Sequence, residues 1–130
     1  MTFQITTLYA VLLAVLALVL SVMVSIHRGK TGVSLGSGGD TALQIKMRRF
    51  GNFEENVPLA LILLALAEAA GAGATWLHAS GALLLVSRLV HPFGLDPARP
   101  AAPARIAGSL GTKLAMLIAI VAILAREFAG

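Results

Sequence analysis

Arg48, Asn52 and Glu55 are the residues of this sequence whose types and spacing best suit binding chemistry. At 100° of helix rotation per residue, the three lie within about 60° of one another, with Asn56 at the edge of the same stripe. A guanidinium binds a carboxylate, a carboxylate binds an ammonium group, and an amide binds a peptide group. The stripe therefore suits a zwitterionic, peptide-like ligand. It equally suits a structural role in which Arg48 and Glu55 neutralise each other across a helix interface.

Two further glutamates of the same segment fall outside this stripe. On the same projection, Glu54 lies about 120° from Arg48, and Glu68 lies about 160° from it. The pattern therefore separates Glu55, which belongs to the polar stripe, from its direct neighbour Glu54.

The helix that must position these residues belongs to a strongly apolar chain. The sequence has 130 residues, of which 58% are hydrophobic and 12% charged, and its mean hydropathy is +0.88. Soluble domains carry about 25% charged residues, so this composition excludes both a soluble domain and a disordered chain. The absence of cysteine excludes disulfides, a thiolate nucleophile and a cysteine metal site, and we expect no metal site at all. The chain is predicted to be an integral membrane protein.

The hydrophobic pattern predicts an all-α membrane domain covering residues 1–130. Because a membrane-spanning helix needs about 20 mostly apolar residues, we expect four spans, at residues 5–26, 41–70, 75–91 and 105–128. Asp40 or Thr41 is a candidate cap for the second span. That span becomes apolar only from Val57 onward, so its first half must face protein or water. Pro58 is expected to kink it.

The distribution of basic residues predicts the orientation in the membrane. Lysine and arginine accumulate on the cytoplasmic side of membrane proteins. Eight of the ten basic residues gather at one end of the predicted bundle, namely Arg28, Lys30, Lys46, Arg48, Arg49, Arg88, Arg99 and Arg105. We therefore expect both termini outside and both basic loops in the cytoplasm. The positive charge is thus explained by orientation rather than by a nucleic-acid partner.

The second span carries the string Arg48-x3-Asn52-x2-Glu55-Asn56-Val57-Pro58, followed by an apolar run. This string resembles the signature of the MAPEG family, the membrane-associated proteins of eicosanoid and glutathione metabolism. The glycine-rich residues 36–39, the Arg-Arg-Phe-Gly-Asn-Phe run and the residues 88–91 are similar to the small prokaryotic members. The resemblance implies a four-helix bundle that assembles as a homotrimer. It also implies a bacterial inner-membrane location and glutathione bound between adjacent subunits.

The resemblance assigns roles to individual residues. Its implied glutathione-binding residues are Arg48, Asn52, Glu55 and Arg88, and Asn56 and His91 are further candidates because they stand where relatives carry aromatic residues. Arg105 matches the arginine that stabilises the thiolate of the co-substrate glutathione, and Arg99 is the rival because the proline-rich connection makes the match there ambiguous. A nearby cation lowers the pKa of a thiol, and arginine remains charged throughout.

Asn56 departs from the pattern of the family. Many relatives carry tyrosine directly after the motif glutamate, whereas the single tyrosine here is Tyr9 in the first span. Eukaryotic relatives also carry aromatic residues on the third helix, where His91 stands here. The departure implies that a tyrosine contact to the ligand is missing, so binding with little catalysis is one expectation.

The sequence therefore leaves three candidate functions. The first is a glutathione transferase or peroxidase that acts on lipophilic molecules dissolved in the membrane lipid. The second is a non-catalytic ligand-binding protein with the MAPEG fold. The third is a small four-span multidrug transporter, a class that relies on a glutamate in its first span. Residues 5–26 contain no acidic residue, which disfavours the transporter.

Lys113 is a lone charge inside the fourth span. It follows Arg105 by eight residues, which places it about 12 Å deeper in the membrane. We expect its side chain to extend toward the interface, to pair with an acidic group in the trimer, or to contact the ligand.

Overall fold

The computed structural model describes residues 2–96, 98–99 and 102–128. Four α-helices account for most of them: α1 (Gln4–Thr31), α2 (Thr41–Ala69), α3 (Ala74–Val90) and α4 (Pro103–Glu127). A short 3-10 helix (His91–Gly94) follows α3. The predicted all-α class is confirmed. Residues 97, 100 and 101 of the proline-rich connection lie outside the described residues.

The first helix is longer than predicted. It continues through Arg28 to Thr31 and ends at Gly32, whose positive φ of 71° is tolerated because glycine has no side chain. The sequence interpretation ended the span at residue 26, where the apolar run ends. The basic residues end the apolar surface but not the helix, since cations in a last turn interact favourably with the helix dipole.

The second helix begins at the predicted cap. Asp40 accepts a hydrogen bond from the backbone amide of Leu43 at 3.0 Å, which satisfies one of the donors that a helix start leaves unpaired. The helix is continuous past Pro58, whose missing amide lies on an exposed face.

Three of the four helices are long and apolar enough to cross a membrane: α1, α2 and α4. The third, α3, has 17 residues and is therefore about 25 Å long, slightly less than a bilayer core of about 30 Å. A membrane protein with three such helices is thus supported, and a fourth span through α3 stays a prediction.

Glycines of α4 allow close packing against α3. A methyl group at Gly108 would come within 2.6 Å of the His91 Cβ and 2.8 Å of the Ser87 carbonyl oxygen. A methyl group at Gly111 would overlap the Ser87 hydroxyl. One turn further along α4 on the same interface, Ser80 donates to the Ala115 carbonyl at 2.8 Å. Small residues therefore bring the two backbones together, as is common between membrane helices.

The end of the bundle away from the basic loops is joined by polar contacts. The Glu68 carboxylate accepts hydrogen bonds from the backbone amides of Ile5 at 3.0 Å and Thr6 at 2.8 Å. It thereby caps the first turn of α1, where a negative charge is favourable. The Tyr9 hydroxyl is 3.0 Å from His78 Nδ1, and the ring packs on Gly81, which has no room for a Cβ.

Candidate functional site

A cavity of about 270 Å³ lies at the basic end, between α2, the start of α4 and the chain after the 3-10 helix. Its lining residues are Gln44, Ile45, Arg48, Asn52, Leu95, Asp96 and Arg105. The stripe of α2 predicted from the sequence therefore supplies two of them, Arg48 and Asn52. The start of α4 supplies Arg105, so two guanidinium groups and an amide surround one space.

Arg48 is paired with Glu55 along the surface of α2. Its Nη1 and Nη2 atoms lie 3.3 and 3.5 Å from the two carboxylate oxygens. Both side chains are 56% exposed, and an ion pair of this kind contributes less than about 1 kcal/mol. A ligand can therefore replace it at little cost. The sequence also allowed a structural role in which Arg48 and Glu55 neutralise each other across a helix interface. In the structure they do so within one helix instead.

Asn52 is held in position by Arg88. The Arg88 Nη1 donates to Asn52 Oδ1 and the Nη2 donates to the Gly108 carbonyl, both at 2.9 Å. Because arginine only donates, Asn52 must present its oxygen to Arg88, which leaves its NH₂ group available as a donor. Arg88 is only 2% exposed and is not among the described residues that line the cavity. Its place in the structure is behind Asn52, where it links α2, α3 and α4.

Two other predicted binding residues are not among the described residues that line the cavity. The Asn56 side chain donates to the Asn52 carbonyl of its own helix at 2.8 Å. His91 is buried at the start of the 3-10 helix and packs against Gly108. Neither side chain lines the cavity among the described residues. The roles that the resemblance assigns to Arg88, Asn56 and His91 stay predictions, as does that of Glu55.

The structure distinguishes the two candidate arginines after the 3-10 helix. Arg105 lines the cavity, whereas Arg99 is exposed and is not among the described lining residues. A Cβ at Gly94 would overlap the backbone nitrogen of Arg105, so the 3-10 helix packs tightly against the first turn of α4. This contact fixes the position of Arg105 in the first turn of α4.

Gln44, Ile45, Leu95 and Asp96 complete the cavity and were not singled out in the sequence. Gln44 lies four residues before Arg48 and therefore on the same helix face, so the helical projection contained a signal for it. Asp96 lies in the proline-rich connection, where no periodic pattern exists, and its position depends on the 3-10 helix. Its Oδ1 accepts from the Ala98 amide at 2.9 Å. Asp96 thus adds a carboxylate to the cavity that the two arginines line.

A second polar cluster fixes the start of α2, one turn before the cavity. Lys46 Nζ lies 2.9 Å from His27 Nδ1, and His27 Nε2 lies 2.7 Å from Asp40 Oδ2. Because lysine only donates, Nδ1 of His27 must accept and Nε2 must donate to Asp40. The hydrogen bond from His27, followed by that from the Leu43 amide, lowers the pKa of Asp40 below its ordinary value of 3.8.

No group of three or more histidine, aspartate or glutamate side chains in the described part of the chain is arranged to hold a metal ion. The described lining residues carry guanidinium, amide, carboxylate and aliphatic groups.

Comparison with known proteins connects this arrangement to a family. A sequence model of the MAPEG family matches residues 6–125. The chain is also similar to the Inner membrane protein YecN of Escherichia coli, which is matched in two strains. The identity is 37% over 91 residues, and the matched segment covers 70% of this chain and 70% of the relative. No solved structure matches the chain. The family match extends from α1 to α4 and includes every residue of the cavity wall named above.

Proposed function

Because the chain belongs to the MAPEG family, we propose that it is a bacterial inner-membrane protein that binds glutathione beside Arg48, Asn52 and Arg105. The observation that carries this proposal is the convergence of these three residues on one cavity at the basic end. Their side chains come from two helices that lie far apart in the sequence.

The chemistry of the cavity fits a tripeptide with two carboxylates and one ammonium group. Arg48 can bind a carboxylate with two hydrogen bonds once its weak pair with Glu55 is exchanged. Asp96 and the released Glu55 are acceptors for the ammonium group. The NH₂ group of Asn52 and the side chain of Gln44 suit peptide carbonyls. Each kind of group on the ligand therefore has a counterpart of the right polarity.

The size of the cavity supports an assembly. Small-molecule sites measure about 300–1,000 Å³, and the open cavity of this single chain, at about 270 Å³, lies just below that range. The exposed Arg48 and Glu55 also leave one side of the site open. We therefore include in the proposal that a homotrimer completes the site with residues of a neighbouring subunit, as the resemblance implies.

The proposed catalytic step uses Arg105. Its guanidinium stabilises a thiolate on a bound glutathione, because a fixed positive charge favours the ionised sulfur. The sulfur then attacks an electrophilic carbon of a lipophilic molecule, and the leaving group departs with the electron pair of the broken bond. A lipid hydroperoxide is the alternative acceptor: attack on its outer oxygen breaks the O–O bond, releases the lipid alcohol and leaves a glutathione sulfenic acid, which a second glutathione converts to glutathione disulfide and water.

A second candidate is a glutathione-binding protein without transferase activity. Asn56 favours it, because this side chain donates to the backbone of its own helix at 2.8 Å and offers no hydroxyl to a bound sulfur. No observation in the described structure favours a drug transporter, since α1 has no acidic residue in Gln4–Thr31.

Calorimetric titration of the purified protein with glutathione tests the binding proposal. We expect saturable binding by the wild type, loss of the binding heat in Arg48→Ala, and retention in Arg99→Ala, a matched arginine outside the cavity wall. Absence of binding by the wild type at millimolar glutathione would contradict the proposal.

A conjugation assay with a generic aryl halide separates the two candidates. If the protein is a transferase, the wild type and Arg99→Ala are active and Arg105→Ala is inactive while still binding glutathione. Binding without any conjugation or peroxide reduction by the wild type would favour the non-catalytic candidate.

A further inference from the structure

Lys113 is an exposed charge in the middle of an apolar surface of α4. Its neighbours on this surface, Leu110, Leu114 and Leu117, are all at least half exposed. Lys113 has no hydrogen bond or ion pair with another described residue. It follows Pro103 by ten residues, about 15 Å along the helix. A charge at such a depth is costly in lipid, so a compensating group is required.

Glu54 on α2 is likewise an exposed charge without a partner among the described residues. It is exposed and, unlike Glu55, has no ion pair among the described residues. The other acidic groups of the described helices differ from it, because Glu68 caps α1 and Glu127 is the last residue of α4. Among the described acidic side chains of the helices, Glu54 is therefore the one without a partner that does not lie at a helix end.

The two residues lie at nearly the same depth. Arg88 joins Asn52 to Gly108 and so places these positions of α2 and α4 at one level. Both helices begin at the basic end and run in the same direction. Glu54 lies two residues beyond Asn52, and Lys113 lies five residues beyond Gly108. The difference is about 4.5 Å along the helix axis, which the long flexible stem of lysine can bridge.

Within one chain this pair does not form, because Lys113 projects from the outward surface of α4. Rotation about an axis parallel to the membrane normal leaves depth unchanged, so identical copies in a cyclic assembly meet at matching levels. We propose that the outward surface of α4 around Lys113 binds a second copy of this chain, and that Lys113 pairs with Glu54 of that copy. The inference rests on the assembly proposed above but not on glutathione binding.

Cysteine cross-linking tests the pair directly, because the chain has no cysteine of its own. A disulfide needs Cβ atoms within about 4.5 Å of each other, which a pair bridged by a lysine stem exceeds. The double variant Glu54→Cys with Lys113→Cys, treated in native-like lipid discs with a bifunctional thiol reagent as long as a lysine side chain, should therefore give a ladder of covalent dimers and higher oligomers. The matched control combines Glu54→Cys with Leu124→Cys, on the same exposed surface of α4 but eleven residues further along. It should give no ladder. A ladder in the control alone, or in neither variant, overturns the proposal.

Charge exchange tests whether the pair contributes energy. We expect Lys113→Glu and Glu54→Lys each to raise the concentration at which the oligomer half-dissociates by about tenfold, and the double exchange to restore it. Unchanged dissociation in both single variants would mean that lipid or water compensates Lys113 and would overturn the pair. A monomeric wild type would overturn the assembly as well. A failed glutathione titration leaves both tests intact, so the two proposals fail separately.

Discussion

The two ends of the bundle use polar side chains in opposite ways. At the end away from the basic loops, Glu68 accepts two backbone amides of α1, and Tyr9 contacts His78. These groups are committed to holding helices together. At the basic end, Arg48 and Glu55 are more than half exposed and weakly paired beside a cavity, so they remain exchangeable. A polar group whose hydrogen bonds are already made to another helix is structural, whereas an exposed and weakly paired group is a candidate for ligand binding.

The basic end contains both kinds of arginine. Arg88 is buried and donates to Asn52 and Gly108, whereas Arg48 is exposed and, among the described residues, pairs with Glu55 alone. The basic end therefore has two layers. The fixed layer is the buried Arg88 with its hydrogen bonds to Asn52 and Gly108, and the exchangeable layer is the exposed pair of Arg48 and Glu55. Variants at the two ends of the bundle test this contrast, and those in the fixed layer should have the largest effects.

Arg88→Met should be strongly destabilising. The change removes the Arg88 hydrogen bonds to Asn52 and Gly108, of which only the Gly108 carbonyl keeps a second side-chain donor, Thr112. Hydrogen bonds to a charged group contribute about 1.5–3 kcal/mol each. We expect a loss of about 3 kcal/mol, measured by reversible unfolding in detergent. The matched variant Arg48→Met should lose less than about 1 kcal/mol, because that arginine is exposed. Equal losses in the two variants would contradict the division into fixed and exchangeable layers.

Gly108→Ala should destabilise the same layer by overpacking. The new methyl group would approach His91 and the Ser87 carbonyl at less than 3 Å, and extra volume in a packed interface costs about 1–3 kcal/mol. The control is Gly29→Ala in α1, where a Cβ meets nothing within 4 Å. Thermal unfolding should show a lower Tm for Gly108→Ala and an unchanged or higher Tm for Gly29→Ala. A Tm of Gly108→Ala at or above that of the wild type would contradict this prediction, because it would show that α3 and α4 move apart at no cost to accommodate the methyl group.

Glu68→Gln tests the opposite end. The amide oxygen of this variant accepts from one of the two backbone amides, but its NH₂ group cannot accept from the other. A lost hydrogen bond contributes about 0.5–1.5 kcal/mol and the lost negative charge at the start of α1 about 0.3–1 kcal/mol, together about 1–2.5 kcal/mol. We expect a loss within this range in the unfolding assay and no change in glutathione binding. Glu127→Gln, an exposed glutamate at the end of α4, is the control and should leave stability unchanged. A change in glutathione affinity with Glu68→Gln would show that the two ends are coupled.

The sequence predicted those parts of the site that lie within one helix. Arg48 and Asn52 share a stripe because helix geometry alone fixes their relation, and both line the cavity. Arg88 behind Asn52 was not predictable in the same way, since 36 residues separate the two and only the packing of α2 on α3 brings them together. The cap formed by Glu68 on α1 spans 63 residues and is likewise set by tertiary structure. Asp96 lies in a connection with no periodicity, so no pattern indicated it.

Asp40 should give the smallest effect, and it acts through pH. Its pKa is lowered by hydrogen bonds from His27 and the Leu43 amide. A carboxyl group whose pKa is lowered by folding stabilises the folded state above its ordinary value of 3.8, and this stabilisation is lost as pH falls through the folded pKa. Asp40→Asn keeps an acceptor at the helix start but does not titrate. We therefore expect the Tm of the wild type to fall more steeply in acid than that of Asp40→Asn. Parallel curves for the two proteins would mean that the cluster with His27 and Lys46 does not hold the start of α2.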